Sequence, residues 1–341
     1  CLGWMMIKNN YLIILPSWIG DIVISQALLK KIQETHKNCK IDVVVKSCYK
    51  PLVELMPEID NIYSLDIPHG RLGLLQRIKL SQKLKNKYSC SIILTNSFKS
   101  ALVPWLSNIP KRIGYSREMR GFLLTTALRY KKHTSSMVNR YMKLINAEYD
   151  QSVAPSLDLD EITRKSILDK YKLDNQNKIV VLCPDAEFGP AKRWPVKYWR
   201  ELIKILNEDG FIPIILGKNT SLAEEISNDN TLQKHMLVGS TNLEEAIYIL
   251  SSAEVVVSND SGLMHVASAV ESKKLVSLFG SSSPNYTAPL SKNDNSIVIY
   301  KSLSCSPCFQ KECPLNHFDC MNQISPHEVY SSISNNLFRT D

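Results

Sequence analysis

Short apolar runs rich in Val and Ile alternate with amphipathic runs along almost the whole chain, and this alternation constrains the fold more than any other feature. Strand-like runs occupy residues 11–15, 41–46 and 91–95 in the first half, then 179–182, 212–216, 255–258 and 275–279 in the second. Segments with helical spacing lie between them, at 21–35, 72–85, 243–251 and 261–270. Strands buried on both faces read as continuous apolar runs, and helical crossovers between them specify parallel sheets covered on both sides. Both halves carry the pattern, so two doubly wound α/β domains are expected. The polar stretch 151–160 is the linker candidate, with domains at 1–155 and 156–324 and a closing helix at 325–341. Asp160 is placed to cap a helix over 161–171.

A chain of 341 residues is long enough for two cores of ordinary size. Its formal charge of +8, from 41 basic and 33 acidic residues, is too small a surplus to argue for nucleic acid. It suits a phosphorylated substrate or an anionic membrane surface. No apolar run approaches the ~18 residues that read as a membrane span. The opening Cys1-Leu2-Gly3-Trp4-Met5-Met6 reads neither as a secretory signal nor as a lipoprotein tether, so Met5 or Met6 is the expected start. Nine cysteines without such a signal imply reduced thiols in a cytoplasm.

Open α/β sheets bind ligands beyond the carboxyl ends of their strands. Here those ends carry residues 16–21, 96–99, 183–193, 217–219 and 259–265, and two facing domains would place them along an interdomain cleft. The segment from Cys183 to Pro195 joins a strand-like run to a helical one. Such a turn aims backbone N–H groups and a helix dipole at an anion, and Lys192 and Arg193 add two positive charges. An ordinary connection with a solvated Lys-Arg pair fits the same residues. In Pro16-Ser17-Trp18-Ile19-Gly20-Asp21, Gly20 permits an unusual backbone conformation or a close approach. Asp21 reads as a helix cap or as a general base, and a base at a helix N-terminus needs desolvation to work.

Asn259-Asp260-Ser261-Gly262-Leu263-Met264-His265 opens a second such helix, with Asp260 or Ser261 as its cap and His265 one turn in. Two anion sites suit a diphosphate better than a monophosphate. In the first half, Asn96-Ser97-Phe98-Lys99-Ser100 and the basic residues Lys111, Arg112, Arg117 and Arg120 suit phosphate or carboxylate groups, or form solvated loops. Neither Gly-x-Gly-x-x-Gly nor the phosphate-loop motif occurs, which argues against a dinucleotide dehydrogenase and a phosphate-loop ATPase. Asp158-Leu159-Asp160 resembles a metal-binding triplet but sits at a helix start, where capping is the better reading. Cys305, Cys308, Cys313 and Cys320 follow a C-x2-C-x4-C-x6-C pattern. Structural zinc, reduced thiols and stress-formed disulfides are the readings it leaves open.

Taken together, these segments resemble the bacterial heptosyltransferases of lipopolysaccharide inner-core synthesis. The resemblance rests on the Pro16 to Asp21 run with Ser25-Gln26, the run from Asn96 to Pro104, the run from Ala186 to Pro195, the run from Asn259 to Ala267, and Ser282-Ser283-Pro284 with Thr287. It extends from about Tyr11 to about Pro289. It implies the GT-B architecture of two Rossmann-like domains, acceptor on the first and ADP-heptose on the second, often with a last helix crossing back. The implied reaction is inverting and needs no metal or other cofactor: L-glycero-D-manno-heptose moves from ADP-heptose to the first heptose of a Kdo2-lipid A acceptor. It also implies work at the cytoplasmic face of the inner membrane, in peripheral contact with it.

The resemblance casts Asp21 as the base and Lys192 as the cation facing the departing diphosphate. Donor contacts fall to Glu187, Lys192, Arg193, Asp260, Ser261, Gly262 and His265. Acceptor contacts fall to Ser17, Trp18, Gly20, Asn96, Ser97, Lys99, Arg117 and Arg120. The rival expectations are the same chemistry on another acceptor and a catalytically silent sugar-nucleotide-binding protein. Two positions depart from the family pattern: Asp185 stands where Gly is usual, and Ser281 where Pro is usual. A carboxylate at 185 repels a diphosphate unless it is turned away or paired with Lys192 or Arg193.

Overall fold

The computed structural model describes residues 9–68, 70–131, 134–173, 178–227, 236–293 and 295–334. The expected start at Met5 or Met6 lies outside them. The chain divides into two compact units, Cys1–Pro155 and Ser156–Asp341.

The first unit is built on six strands: β1 (Asn10–Ile14), β2 (Lys40–Val45), β3 (Asn61–Ser64), β4 (Cys90–Ile93), β5 (Lys111–Ser116) and β6 (Thr126–Arg129). All pair in parallel, in the order β3-β2-β1-β4-β5-β6. Their central residues Leu12, Ile13, Ile41, Val43 and Ile92 are fully buried, as expected for strands covered on both faces. The Ile19–Thr35 helix buries Ile22, Val23, Ile24, Ala27, Leu28 and Leu29, which lie around most of its circumference. It packs against the Met137–Lys143 helix, so it is enclosed on more than one side.

The second unit holds β7 (Ile179–Cys183), β8 (Ile212–Ile215), β9 (Val255–Asn259), β10 (Leu275–Phe279) and β11 (Ser296–Tyr300). They too are parallel, in the order β11-β10-β9-β7-β8. The Val196–Glu208 helix turns Trp199, Leu202, Ile203 and Leu206 into this unit's core, one stripe at helical spacing. The Pro326–Ser334 helix adds Val329 and Ile333 to the same core and packs on the Val196–Glu208 helix and β10. Over these residues the closing helix packs within the second unit; residues 335–341 lie outside the description. Asp160 caps the Glu161–Tyr171 helix, accepting from Thr163 N at 2.7 Å while its other oxygen accepts from the Tyr248 hydroxyl at 2.8 Å. Both oxygens of the Asp160 carboxylate are therefore engaged, as its capping reading expects.

In each sheet the strand order reverses once, between β1 and β4 and between β7 and β9. Connections leave for opposite faces at such a point and open a crevice at the carboxyl ends of the two strands. The segments after β1, β4, β7 and β9 are the ones that carry the sequence motifs.

Candidate active site

Asn259 closes β9 and is fully buried. Its amide Nδ2 donates to the Pro184 carbonyl at 2.7 Å, and its Oδ1 accepts from Trp194 N at 3.3 Å. One side chain thus holds both ends of the loop after β7. Trp194 is locked in turn: its indole donates to the Ile324 carbonyl at 2.9 Å and its ring meets Trp199 edge-on at 4.9 Å. Between these anchors a 3-10 turn, Pro190–Lys192, carries the Lys192 ammonium onto the Asp260 carboxylate. The Lys192 and Asp260 side chains are only 15% and 4% exposed. Lys192 also lies 5.0 Å from the Phe188 ring centroid, and Asp260 accepts from the Ser282 hydroxyl.

Ser261 occupies the N-cap of the Gly262–Ala269 helix, yet its side chain makes no capping bond. Its hydroxyl lies 3.3 Å from that of Ser258. The first N–H groups of the helix therefore have no side-chain acceptor from the cap, and they face the end of β9, where an anion would be drawn. His265, buried one turn in, has its pKa lowered to about 4, chiefly by burial, with Lys192 adding to the effect and Asp260 opposing it. It is neutral near pH 7 and so contributes a hydrogen-bonding ring, not a charge. Glu187 is exposed on the loop, and Arg193 is half-buried.

Asp185 is turned away from this cluster. Its Oδ2 accepts from Lys218 N at 2.6 Å and Asn219 N at 2.9 Å, at the head of the Thr220–Ile226 helix. Gly217 makes room for it, since a Cβ there would lie 2.5 Å from that oxygen. The departure from Gly at 185 is thus spent on a local turn and brings no repulsion to the Lys192 loop. Ser281 offers its carbonyl to Phe309 N at 2.7 Å.

In the first unit Trp18, not Asp21, takes the N-cap position of the Ile19–Thr35 helix, with no side-chain capping bond. Asp21 stands in the first turn and is half-buried, so the capping reading gives way to a carboxylate held in the field of a helix N-terminus. Gly20 is an ordinary helical residue, and the unusual backbone that its glycine allowed is not used. Ser17 and Trp18 are exposed beside it, the Ser17 carbonyl accepting from the Tyr49 hydroxyl at 2.8 Å. β4 pairs directly with β1, so half-buried Asn96, Ser97 and Lys99 follow on the neighbouring strand end.

Arg120 requires a correction. It is 0% exposed, and its guanidinium donates to the carbonyls of Tyr115 at 2.8 Å, Thr95 at 2.5 Å and Ser97 at 3.2 Å, and to the Ser100 hydroxyl at 2.9 Å. Burial lowers its pKa to about 10 against the pull of Glu118. It shapes the loop after β4 and does not reach out to an acceptor. Arg112 is likewise committed to the Leu123 and Ile109 carbonyls. Arg117 is exposed, 4.8 Å from the Tyr130 ring centroid.

Buried polar atoms without partners are rare in folded proteins and each asks for a ligand or another reason. Among the described residues they include Thr95 Oγ1, Asn96 Oδ1 and Arg120 Nη2 in the first unit, and Arg193 Nε, Ser281 Oγ and Thr287 Oγ1 in the second. These fall at or beside the strand-end motifs. Asn259 and Ser282 are the positioning residues that the sequence reading left without a role. A buried Asn ending an apolar strand, and a Ser after the last core strand, were the available signals.

Two parallel α/β units, with motifs at both switch points and a cation-lined, uncapped helix start in the second, make the build of a sugar-nucleotide-dependent glycosyltransferase. The family model for glycosyltransferase family 9 (heptosyltransferase) matches residues 77–319. Lipopolysaccharide heptosyltransferase 2 of Escherichia coli K12 is 37% identical over 300 residues, covering 82% of this chain and 85% of that protein. Lipooligosaccharide heptosyltransferase 2 of Haemophilus ducreyi is 36% identical over 304 residues, covering 82% and 86%. The solved structure of E. coli ADP-heptose LPS heptosyltransferase II superposes with a TM-score of 0.83 at 31% identity, covering 96% of this chain and 98% of that one. The chain belongs to glycosyltransferase family 9 and is a heptosyltransferase.

Proposed function

We propose that this enzyme transfers L-glycero-D-manno-heptose from ADP-heptose to the first heptose of a Kdo2-lipid A acceptor, with inversion. The observation that carries the proposal is the buried Lys192–Asp260 pair at the start of the Gly262–Ala269 helix. The diphosphate of the donor takes the N–H groups near Ser261 and Gly262 and shares the Lys192 ammonium with Asp260. Arg193, Glu187 and His265 complete the donor contacts. The acceptor hydroxyl attacks the anomeric carbon as Asp21 takes its proton, and the bond from that carbon to the diphosphate oxygen breaks. ADP departs with the bonding pair, its new charge met by Lys192 in a partly desolvated setting. Ser17, Trp18, Asn96, Ser97, Lys99 and Arg117 contact the acceptor, with Arg120 behind them as a positioning residue. The names of the relatives support this acceptor step over those of heptosyltransferase I or III.

The test is release of ADP from ADP-heptose with acceptors carrying no heptose, one or two. Turnover is expected on the one-heptose acceptor, without added Mg²⁺ or Mn²⁺ because Lys192 supplies the compensating charge. Asp21→Asn is expected to lower that turnover by about 10²–10⁴-fold while ADP-heptose still binds. Turnover only on the heptose-free acceptor would move the assignment to the preceding transfer. Donor binding with no turnover on any acceptor would make the chain a silent binding protein.

A further inference from the structure

Between β11 and the Asp319–Asn322 helix the chain forms no strand or helix, and this stretch contains Cys305, Cys308 and Cys313. Cys320 follows in the helix itself. All four thiols are free, and all four line one pocket together with Ala191, Ser281 and His317. The backbone turns tightly around them: Phe309, Asn316 and Phe318 adopt left-handed φ values of 55°, 55° and 54° without being glycine. Such conformations are unfavourable for residues that carry a Cβ, and they persist only where something else dictates the path. The backbone N–H groups of Phe318, Leu315, His317 and Asn316 converge on the Cys313 sulfur. His317 is a poor rival ligand at one nitrogen, because its Nδ1 already accepts from Asp319 N at 2.9 Å.

The stretch is also tied to the donor loop. Ala191 N donates to the Lys311 carbonyl at 3.0 Å, Phe309 N donates to the Ser281 carbonyl at 2.7 Å, and the Ser306 hydroxyl donates to the Gly280 carbonyl. Ala191 is the neighbour of Lys192, and Ser281 the neighbour of Ser282, which bonds Asp260. We propose that Cys305, Cys308, Cys313 and Cys320 bind one zinc ion as four thiolates, and that this ion fixes the stretch that holds the Lys192 loop in place. Four soft sulfur ligands select zinc over hard cations, and a closed tetrahedral set is structural, with no position open for chemistry. Among the described residues no three metal-ligating side chains already stand ready to hold an ion. Binding therefore draws the sulfurs together and releases their protons, one from each thiol that is protonated beforehand.

The experiment uses the full chain, expressed with zinc supplied and kept reduced. Elemental analysis is expected to give one zinc per chain, and Cys308→Ser and Cys313→Ser are expected to lose it while Cys48→Ser, an exposed thiol outside the cluster, keeps it. Co²⁺ added to metal-stripped wild-type protein is expected to give thiolate-to-cobalt charge transfer and tetrahedral d–d bands, so the proposal stays testable if the Ser variants do not fold. Absence of bound metal together with absence of those bands overturns the site, and stoichiometric iron in place of zinc overturns the ion. Stripping zinc is expected to lower the melting temperature and weaken ADP binding about tenfold, both restored by zinc. This last effect rests on the donor reading above, whereas metal content does not. Unchanged ADP affinity in the stripped protein overturns the link to the Lys192 loop and leaves the transferase reading standing.

Discussion

Lys192 is the residue on which structure and chemistry bear most directly. Its ammonium is paired with buried Asp260 before any donor arrives, so removing it does two things at once. It strips the diphosphate of a compensating charge as the glycosidic bond breaks, and it leaves Asp260 buried without a partner. Loss of a preorganised electrostatic group costs about 10²–10³ in kcat. Loss of one member of a buried pair costs about 3–5 kcal/mol of stability. Lys192→Ala is therefore expected to fall in both kcat and melting temperature. Adding Asp260→Asn is expected to restore the melting temperature but not kcat, because only the stability loss comes from the stranded carboxylate. Steady-state kinetics beside thermal unfolding separates the two, and a double variant that regains turnover would show that Lys192 serves the fold alone.

His265 makes a second prediction at the same scale. Folded, it resists protonation down to about pH 4, whereas an unfolded chain takes up the proton near pH 6.5. Its contribution to stability is present above pH 6.5 and declines as the pH falls toward 4, by up to about 1.4 kcal/mol per pH unit. The His265→Asn variant is expected to show a shallower loss of stability over that window in denaturant unfolding. Equal slopes in the two proteins would mean that His265 does not remain neutral in the fold.

At the scale of elements, the strands legible in the sequence are β1, β2, β4 and β7 to β10, whose residues are mostly buried and leave a nearly unbroken apolar run; even β8, at the edge of its sheet, keeps Pro213, Ile214 and Ile215 buried. The edge strands β3, β6 and β11 were not, since they expose a face and read as mixed sequence; β5, Lys111–Ser116, was read as a basic stretch because its first two residues are charged. That misreading also drew Arg120 into the acceptor site. A buried guanidinium and an exposed one look alike in sequence, and only the fold shows where the donors go. The Lys192–Asp260 pairing spans 68 residues and was likewise visible only as two separate motifs.

The donor loop offers an element-level test in Gly189. A Cβ there would lie 2.4 Å from the Lys311 carbonyl oxygen, with the Lys311 C and Cα at 3.0 Å, and backbone cannot yield as a side-chain end can. Gly189→Ala is expected to push the 305–313 stretch off the loop, costing about 1–3 kcal/mol of stability and weakening ADP binding. Gly121→Ala, where a Cβ meets nothing within 4 Å, is the control expected to change neither. Calorimetric titration with ADP and thermal unfolding check the pair; an unaffected Gly189 variant would deny the contact its role.

For the molecule as a whole, the remaining question is how a chain with no helix long and apolar enough to cross a membrane, among its described residues, meets a lipid-borne acceptor. The first unit carries large apolar side chains that folding does not bury: Leu75 is 79% exposed, Phe122 71% and Met119 90%. They are linked across the surface, Phe122 lying 6.1 Å from Phe98 between ring centroids, and Phe98 N donating to Glu118 beside Met119. Next to Phe98, the Lys99 ammonium reaches the Arg71 carbonyl at 3.3 Å, just before Leu72 and Leu75. We propose that these exposed apolar groups, interleaved with Arg71, Lys99 and Arg117, make peripheral contact with an anionic bilayer, where charge attracts and apolar side chains insert. Each such side chain contributes up to about 1.5–3 kcal/mol when fully buried. The double variant Met119→Glu/Phe122→Glu is therefore expected to bind vesicles containing anionic lipid at least about tenfold more weakly, with turnover on a soluble deacylated acceptor unchanged. Binding of the unaltered chain is expected to fall steeply with added salt, since the basic residues supply the attraction. Sedimentation with vesicles that contain or lack anionic lipid decides it: equal partitioning of the two proteins would show that Met119 and Phe122 make no membrane contact.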